Sequence, residues 1–205
     1  MKDIKRRGST APASKPANVL FFKPHGVVSQ FTPAGGHHGL CGFGLPKGIF
    51  PAGRLDQDSE GLLLLTGSGK LKNLLCNPEF GHPRTYWVQV DREISENALE
   101  RLRCGAVLND GPARPCAAKV IPVPVLPPRI PPIRFRKSVP TSWVEIILTE
   151  GRNRQVRRML ASVGHPVLRL VRVGIGPLRL QGLTPGKWRC LNEKELEFLK
   201  QKMIR

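Results

Sequence analysis

The chemistry of this chain concentrates in one stretch, Gly53-Arg54-Leu55-Asp56-Gln57-Asp58-Ser59-Glu60-Gly61, which runs into Leu62-Leu63-Leu64-Leu65-Thr66. A carboxylate set between an arginine and an apolar run loses hydration, and it stays ionised only where a cation or hydrogen bonds compensate. Asp58 and Glu60 follow at period two and make an acidic cluster in a basic chain. Asp, Ser and Gly also dominate turns and caps, so residue types alone leave a turn reading of Asp56, Asp58 and Ser59 open.

A second centre spans Glu150 to Met159 and carries Arg152, Arg154, Arg157 and Arg158. On a helix, Arg154 shares a face with Arg157 and Arg158, at three and four residues' distance. Arg129, Arg134, Arg136 and Lys137 extend the positive surface upstream. Planar guanidinium groups suit bidentate contacts to phosphate or carboxylate. Tyr86 is the only tyrosine. It reads equally as a core aromatic or as a platform on which a nucleobase stacks. His37 and His38 stand near Cys41, but the five cysteines are scattered without a CxxC pair. That pattern offers no zinc scaffold and fits reduced thiols in the cytoplasm.

These groups need elements to hold them. Val19 to Phe22 reads as a strand stopping at Lys23-Pro24, and Gly26 to Gly48 as a long loop with one short helix around Leu40. Leu62 to Leu65 suggests a strand buried on both sides. A short helix follows through Leu71, Leu74 and Leu75. Arg84 to Val90 alternates as a strand with Tyr86, Val88 and Val90 on one face. Ser95 caps a helix that ends at Gly105. Proline dominates residues 122 to 132, which therefore form an extended connector. Trp143 to Thr149 is a strand, and a helix from Asn153 to Val163 buries Val156, Met159, Leu160 and Val163. Asn192 and Glu195 have capping-box spacing at the start of a C-terminal helix. Strands with segregated helices indicate an α+β fold. The expected organisation is a disordered basic arm over 1–17, a domain over 18–191 in two lobes, and the C-terminal helix over 192–205 packed on it.

Lysine and arginine together number 33 against 15 acidic residues, a formal net charge of +18. Such an excess favours a polyanionic partner, because each neutralised phosphate releases counterions. An anionic membrane is disfavoured: the apolar runs are too short to span a bilayer, and no long basic amphipathic segment appears. The basic N-terminus has no apolar stretch behind it and is not a secretory signal.

Gly53-Arg54-Leu55-Asp56 followed by Ser59-Glu60-Gly61-Leu62-Leu63-Leu64-Leu65-Thr66 resembles the signature of the RsuA/RluE branch of ribosomal pseudouridine synthases. The resemblance continues through Lys23-Pro24-His25-Gly26-Val27, Tyr86-Trp87-Val88, Glu150 to Met159 and Leu168-Arg169-Leu170-Val171-Arg172, in the family's order. Val28-Ser29-Gln30-Phe31, Leu108-Asn109-Asp110-Gly111 and Pro131-Pro132-Ile133-Arg134 are similar to the RluE members of the branch. There is no room before Val19 for the S4 RNA-binding module common in that branch, which RluE-like members also lack. Arg84 stands where a lysine is common, and Gly35 to Gly44 is unusually rich in glycine.

The resemblance implies the pseudouridine synthase fold, a mixed, mostly antiparallel sheet with flanking helices around a central RNA-binding cleft. It implies Asp56 as the catalytic carboxylate, Arg157 as its salt-bridge partner in a dry site, and Tyr86 stacked on the target base. Arg54 would fill the gap left by a flipped base, and Leu170 would wall the pocket. Lys23, Arg152, Arg154, Arg158, Arg134 and Arg136 are the expected RNA contacts. No cofactor or metal is implied, since the reaction only moves a bond from the base nitrogen to a ring carbon. The implied partner is large-subunit ribosomal RNA, naked or in an assembling particle, met by a monomer in the cytoplasm away from any membrane. Two other classes fit parts of the pattern. A non-catalytic RNA-binding or assembly protein has no use for a buried carboxylate, and a glycoside hydrolase using Asp56 with Glu60 suits so positive a chain poorly.

Overall fold

A computed structural model describes residues 18–133 and 139–203. The arm over 1–17 and the expected RNA contacts Arg134 and Arg136 lie outside the described residues.

The fold is α+β, as expected. Apolar strand β1 (Asn18–Lys23) precedes the long loop, in which a single 3₁₀ turn forms at Leu40–Phe43. Strand β2 (Phe50–Pro51) leads to β3 (Glu60–Thr66), every residue of which is buried, as four consecutive leucines require. Helix α1 (Gly69–Cys76) starts at Ser68, whose side chain accepts from Leu71 N–H. Strand β4 (Arg84–Asp91) alternates, with Tyr86, Val88 and Val90 inward. Helix α2 (Glu96–Arg103) is capped by Ser95, and Gly105 follows in the left-handed region at φ 94°. The short pair β5 (Val107–Leu108) and β6 (Gly111–Pro112) precedes β7 (Ala117–Ile121). After the proline-rich connector come β8 (Thr141–Leu148), α3 (Gln155–Ser162), β9 (Val167–Ile175), β10 (Leu178–Arg179) and β11 (Trp188–Cys190). Helix α4 (Glu193–Met203) begins with the expected reciprocal box, Asn192 Oδ1 accepting from Glu195 N–H and Glu195 Oε2 from Asn192 N–H, both at 2.9 Å.

One sheet runs β11-β1-β3-β9-β4-β8-β7, with β2 beside β3 and β10 beside β9. Its strand pairings are antiparallel except β3 with β9, where Glu60 aligns with Val171 and Gly61 with Arg172. Two halves of the sheet meet at this short parallel junction. Gly61 permits it: at φ +105° a Cβ would lie 2.3 Å from the Arg172 carbonyl oxygen, closer than any side chain allows. On one side of the junction α2 and α3 pack on Tyr86, Val88, Val144 and Ile146, and on the other α1 and α4 pack on Leu20, Phe22, Leu62 and Leu64. The loop over 24–49 covers the remaining face of β1 and β3 through Val27, Leu40 and Ile49.

One helix differs from expectation. Helix α3 begins at Gln155, and Arg154 lies outside it with φ 47° and ψ 33°. A left-handed residue cannot continue a right-handed helix, so Arg154 does not ride the same helical face as Arg157 and Arg158. No helix among the described residues is long and apolar enough to cross a membrane.

Candidate active site

The segment carrying Asp56 is an irregular turn clamped from outside. Ser59 N–H donates to Asp56 O at 3.1 Å, which closes the turn. Gly26 N–H donates to Gln57 O at 2.9 Å. Buried Ser29 grips Leu55 twice, its Oγ donating to Leu55 O at 2.7 Å and accepting from Leu55 N–H at 3.0 Å. Ser29 lies 26 residues upstream in a loop, within the Val28-Ser29-Gln30-Phe31 run that carries part of the family resemblance but is assigned no role by it. Ser29→Ala should strand two buried backbone groups and lower stability by about 1–3 kcal/mol. Freed from its clamp, Asp56 drifts, and turnover should fall roughly tenfold to a hundredfold while RNA binding holds. Unfolding titrations beside single-turnover assays test this, and an unchanged rate would mean that Ser29 does not set the position of Asp56.

Lys23 is not an RNA contact. It is fully buried, and its Nζ donates to Val27 O at 2.6 Å, Pro24 O at 3.0 Å and Gln57 O at 3.3 Å. The chain needs a strong donor where the end of β1 meets the Asp56 turn, and three converging carbonyls supply the pocket for one. Burial pushes the Lys23 ammonium down to about 7, against the opposing pull of Glu60, Asp58 and Asp56. In the unfolded chain it titrates near 10.4, so between these values the unfolded state binds a proton that the folded state lacks. Stability attributable to Lys23 therefore rises with pH, by on the order of 3 kcal/mol from about pH 7 to pH 10. Denaturant unfolding of the unaltered chain and of Lys23→Met across that window should show the difference growing in favour of lysine. A flat difference would assign Lys23 an ordinary ionisation.

The turn borders a cleft of about 500 Å³ that opens where the two cores meet at the β3–β9 junction. Asp56 and exposed Arg54 line it from the turn, Arg152 and Arg154 from the approach to α3, and Tyr86, Leu170 and Arg172 from the sheet. Tyr86 and Leu170 were both expected here. Alternation explains why: Tyr86 pairs with Arg172 and Val88 with Leu170 across β4 and β9, so all four side chains share one face. Arg84 also lines the cleft and donates from Nη2 to Leu75 O at 3.1 Å.

The ion pairs are arranged differently from the expectation that Arg157 neutralises a dry Asp56. The Asp56 side chain is 32% exposed, and its cation is Arg154, with Nη1 at 3.7 Å from Oδ2. Arg157 serves Asp58 instead, with Nε 3.4 Å from Oδ2 and Nη2 donating to Asp58 O at 2.7 Å. Arg154 also holds Asp58 through a bidentate pair at 3.0 and 2.7 Å. Burial alone would push the Asp58 carboxyl up, but the Arg154 hydrogen bonds and the Arg157 and Arg154 charges outweigh it and hold the group below the ordinary carboxylate range. Burial lowers Arg157, with Asp58 opposing. Arg158 forms a bidentate pair with Asp110 at 2.7 and 3.1 Å, and Arg152 donates to Gly111 O at 3.0 Å and Pro112 O at 2.6 Å. Arg129 folds back onto Pro131, Pro132 and Leu168 carbonyls. The turn therefore carries two acids with different duties. Asp58 is consumed by structural guanidinium contacts, and Asp56 is left accessible at the cleft's rim.

Two polar devices had no local signal. Glu60 and Arg169 form a buried bidentate pair at 2.9 and 2.8 Å beside the parallel junction, and Arg169 also donates to Pro127 O at 2.8 Å, which ties down the connector. Arg172 is 3% exposed beneath the cleft. Among the described residues no group of three or more His, Cys, Asp or Glu is arranged to hold a metal ion, and His37 Nδ1 instead meets Gln57 Nε2 at 3.3 Å.

The RNA pseudouridylate synthase family matches residues 18–162. This chain belongs to that family. As a pseudouridine synthase it is an isomerase acting on RNA, and the whole of the Asp56 turn, β3, β4 and α3 lies inside the family's matched region. A relative from Xanthomonas campestris pv. campestris named ribosomal large subunit pseudouridine synthase E is 53% identical over 176 residues, 83% of this chain and 93% of the relative. One of the same name from Vibrio parahaemolyticus is 47% identical, covering 83% of this chain and 72% of the relative. A crystal structure described as a pseudouridylate synthase superposes with a TM-score of 0.74 at 27% identity, covering 90% of this chain and 74% of that one.

Proposed function

We propose that this synthase converts one uridine of large-subunit ribosomal RNA to pseudouridine, with Asp56 as the carboxylate that acts on the sugar. The observation that carries the reading is the partly exposed acid at the cleft rim, paired among the described residues only with Arg154 at 3.7 Å, where Asp58 two residues on takes the close contacts of both Arg154 and Arg157. The relatives named for the large ribosomal subunit, matched over most of their own length, support the choice of RNA.

In this reading the target nucleotide leaves its helix and enters the cleft, where its base lies against Tyr86 and Leu170. Stacking on an aromatic face contributes roughly 1–3 kcal/mol per base, which offsets part of the unstacking cost. Arg54, exposed at the mouth, occupies the gap that the everted base leaves. Asp56 faces the sugar carbon as the bond to the base nitrogen breaks, the base turns, and a ring carbon takes the nitrogen's place. No electron acceptor or outside group enters, so the reaction calls for no cofactor. Arg157 is a positioning residue: through Asp58 O it fixes the turn that presents Asp56. Arg152 and Arg154 line the same cleft, and they and Arg158 meet RNA phosphates, sharing charge with Asp110 and Asp58. The enzyme works as a monomer in the cytoplasm, where ribosomal RNA is assembled.

Pseudouridine mapping of large-subunit RNA from cells with and without the gene tests the reading. One site should disappear, return with an intact gene, and stay absent with Asp56→Asn. An unchanged map would overturn the assignment to large-subunit RNA.

A further inference from the structure

Arg172 is the most deeply buried cation among the groups that line the cleft, and one of its three donor groups lacks a hydrogen bond of normal geometry, the guanidinium otherwise interacting with the Tyr86 phenol. Its Nε donates to Leu62 O at 2.8 Å and its Nη1 to Arg54 O at 3.4 Å, which leaves Nη2 buried without a hydrogen-bond partner of normal geometry. Native proteins rarely leave a buried guanidinium donor unpaired, because the lost hydration is not recovered. The groups that act on it most are Tyr86, Arg84 and Cys76, with no carboxylate among them. Burial accordingly lowers its proton affinity, offset in part by the Tyr86 phenol beside it. Register puts it there: Tyr86 and Arg172 are direct partners across β4 and β9, and both line the cleft. Arg84 lines the same wall. The cleft is therefore polarised, with the Asp56 carboxylate at its rim and unneutralised positive charge on its floor.

That polarity matches the reaction. When the bond from ribose C1′ to uracil N1 breaks, its electron pair goes to the base and spreads over N1, O2 and O4, while C1′ becomes electron-poor and turns to Asp56. After rotation C5 uses an electron pair of the base to bond C1′. The proton displaced from C5 leaves and N1 takes one up, so atoms and electrons balance within the nucleoside. Whether Asp56 captures C1′ or only shields it, the detached base is an anion. A fixed, desolvated donor facing that anion strengthens as charge develops, which is what accelerates a step.

We propose that Arg172 is a catalytic residue whose Nη2 donates to a carbonyl oxygen of the target uracil and stabilises the negative charge on the base while it is detached from the ribose. The proposal rests on the reading of this cleft as the site of uridine isomerisation, and the experiment separates the two. Large-subunit RNA is assembled by splint ligation with uridine, 2-thiouridine or 4-thiouridine at the mapped position, each carrying tritium at C5. Single-turnover tritium release is then followed with the unaltered enzyme, with Arg172→Met and with Arg172→Lys, which keeps a buried cation if the methionine variant does not fold. Sulfur accepts hydrogen bonds poorly, so thiolation of the contacted carbonyl should erase what Arg172 contributes.

On uridine the variants should be slower by about tenfold to a hundredfold with RNA binding retained, the range for a charge-assisted hydrogen bond. For one of the two thiouridines the gap between unaltered enzyme and variant should close to within about threefold, a coupling that a purely structural arginine would not produce. An equal gap on all three bases, or no gap on uridine, overturns the role given to Arg172. No tritium release from the uridine RNA with the unaltered enzyme overturns the proposed function and takes this proposal with it.

Discussion

Asp56→Asn is expected to bind RNA as the unaltered enzyme does and to lose about a thousandfold or more of its isomerisation rate, the scale set by removing a charge that acts in the transition state. The substitution keeps the shape, removes the negative charge, and exchanges one acceptor oxygen for a donor amide. Its effect on stability should be small, because the nearest cation, Arg154, stands 3.7 Å away and Asp56 is partly exposed. Pairs of this kind contribute about 0–1 kcal/mol. The neighbouring Asp58→Asn makes the control. Asp58 takes a bidentate contact from Arg154 and a further one from Arg157, so its loss should lower the unfolding free energy more than that of Asp56. Single-turnover rates and denaturant unfolding on the two variants should therefore cross over. If Asp56→Asn retains full activity, or if Asp58→Asn is the inactive one of the pair, the assignment of the reacting carboxylate is wrong.

The crossover also marks the limit of what the sequence could say. Period and composition placed β1, β3, β4, α1 and α2 well, since each carries its own pattern and its own cap. Alternation placed Tyr86 on the inward face of β4 without deciding its role, whereas Leu170 came only from the family resemblance, since no strand was read over β9. The partner of Asp56 did not follow, because Asp56 and Asp58 sit two apart on a turn. Which of the two faces α3 depends on the turn's path, set by Ser29, Gly26 and Lys23 from another loop. The helical pattern from Asn153 onward was sound for Val156, Met159 and Leu160 and misled at Arg154, whose left-handed backbone reflects a reach across to Asp58 rather than local propensity. Lys23 looked like one more surface charge in a basic chain. Only the convergence of three carbonyls shows otherwise.

The same argument applies to the pair that no local pattern announced. Glu60 and Arg169 are 109 residues apart, 3% and 8% exposed, and joined by two hydrogen bonds at the place where β3 and β9 run parallel. Glu60→Gln should lower stability by about 3–5 kcal/mol, because it leaves a buried guanidinium without its counter-charge. The loss is mostly the stranded charge rather than the worth of the pair. Adding Arg169→Met to Glu60→Gln should therefore recover a large part of it, with Pro127 O then losing a donor as the residual penalty. Denaturant unfolding of the two single variants and the double variant gives the coupling directly. A Glu60→Gln loss below about 1 kcal/mol would mean that the pair behaves as a solvated surface contact. The consequence reaches the chemistry. Glu60 is followed by Gly61, whose close approach to Arg172 sets the spacing between the Asp56 turn and the floor of the cleft. A variant that survives Glu60→Gln should thus turn over more slowly than its remaining stability accounts for, since the rim acid and the floor arginine are held at their separation by this junction.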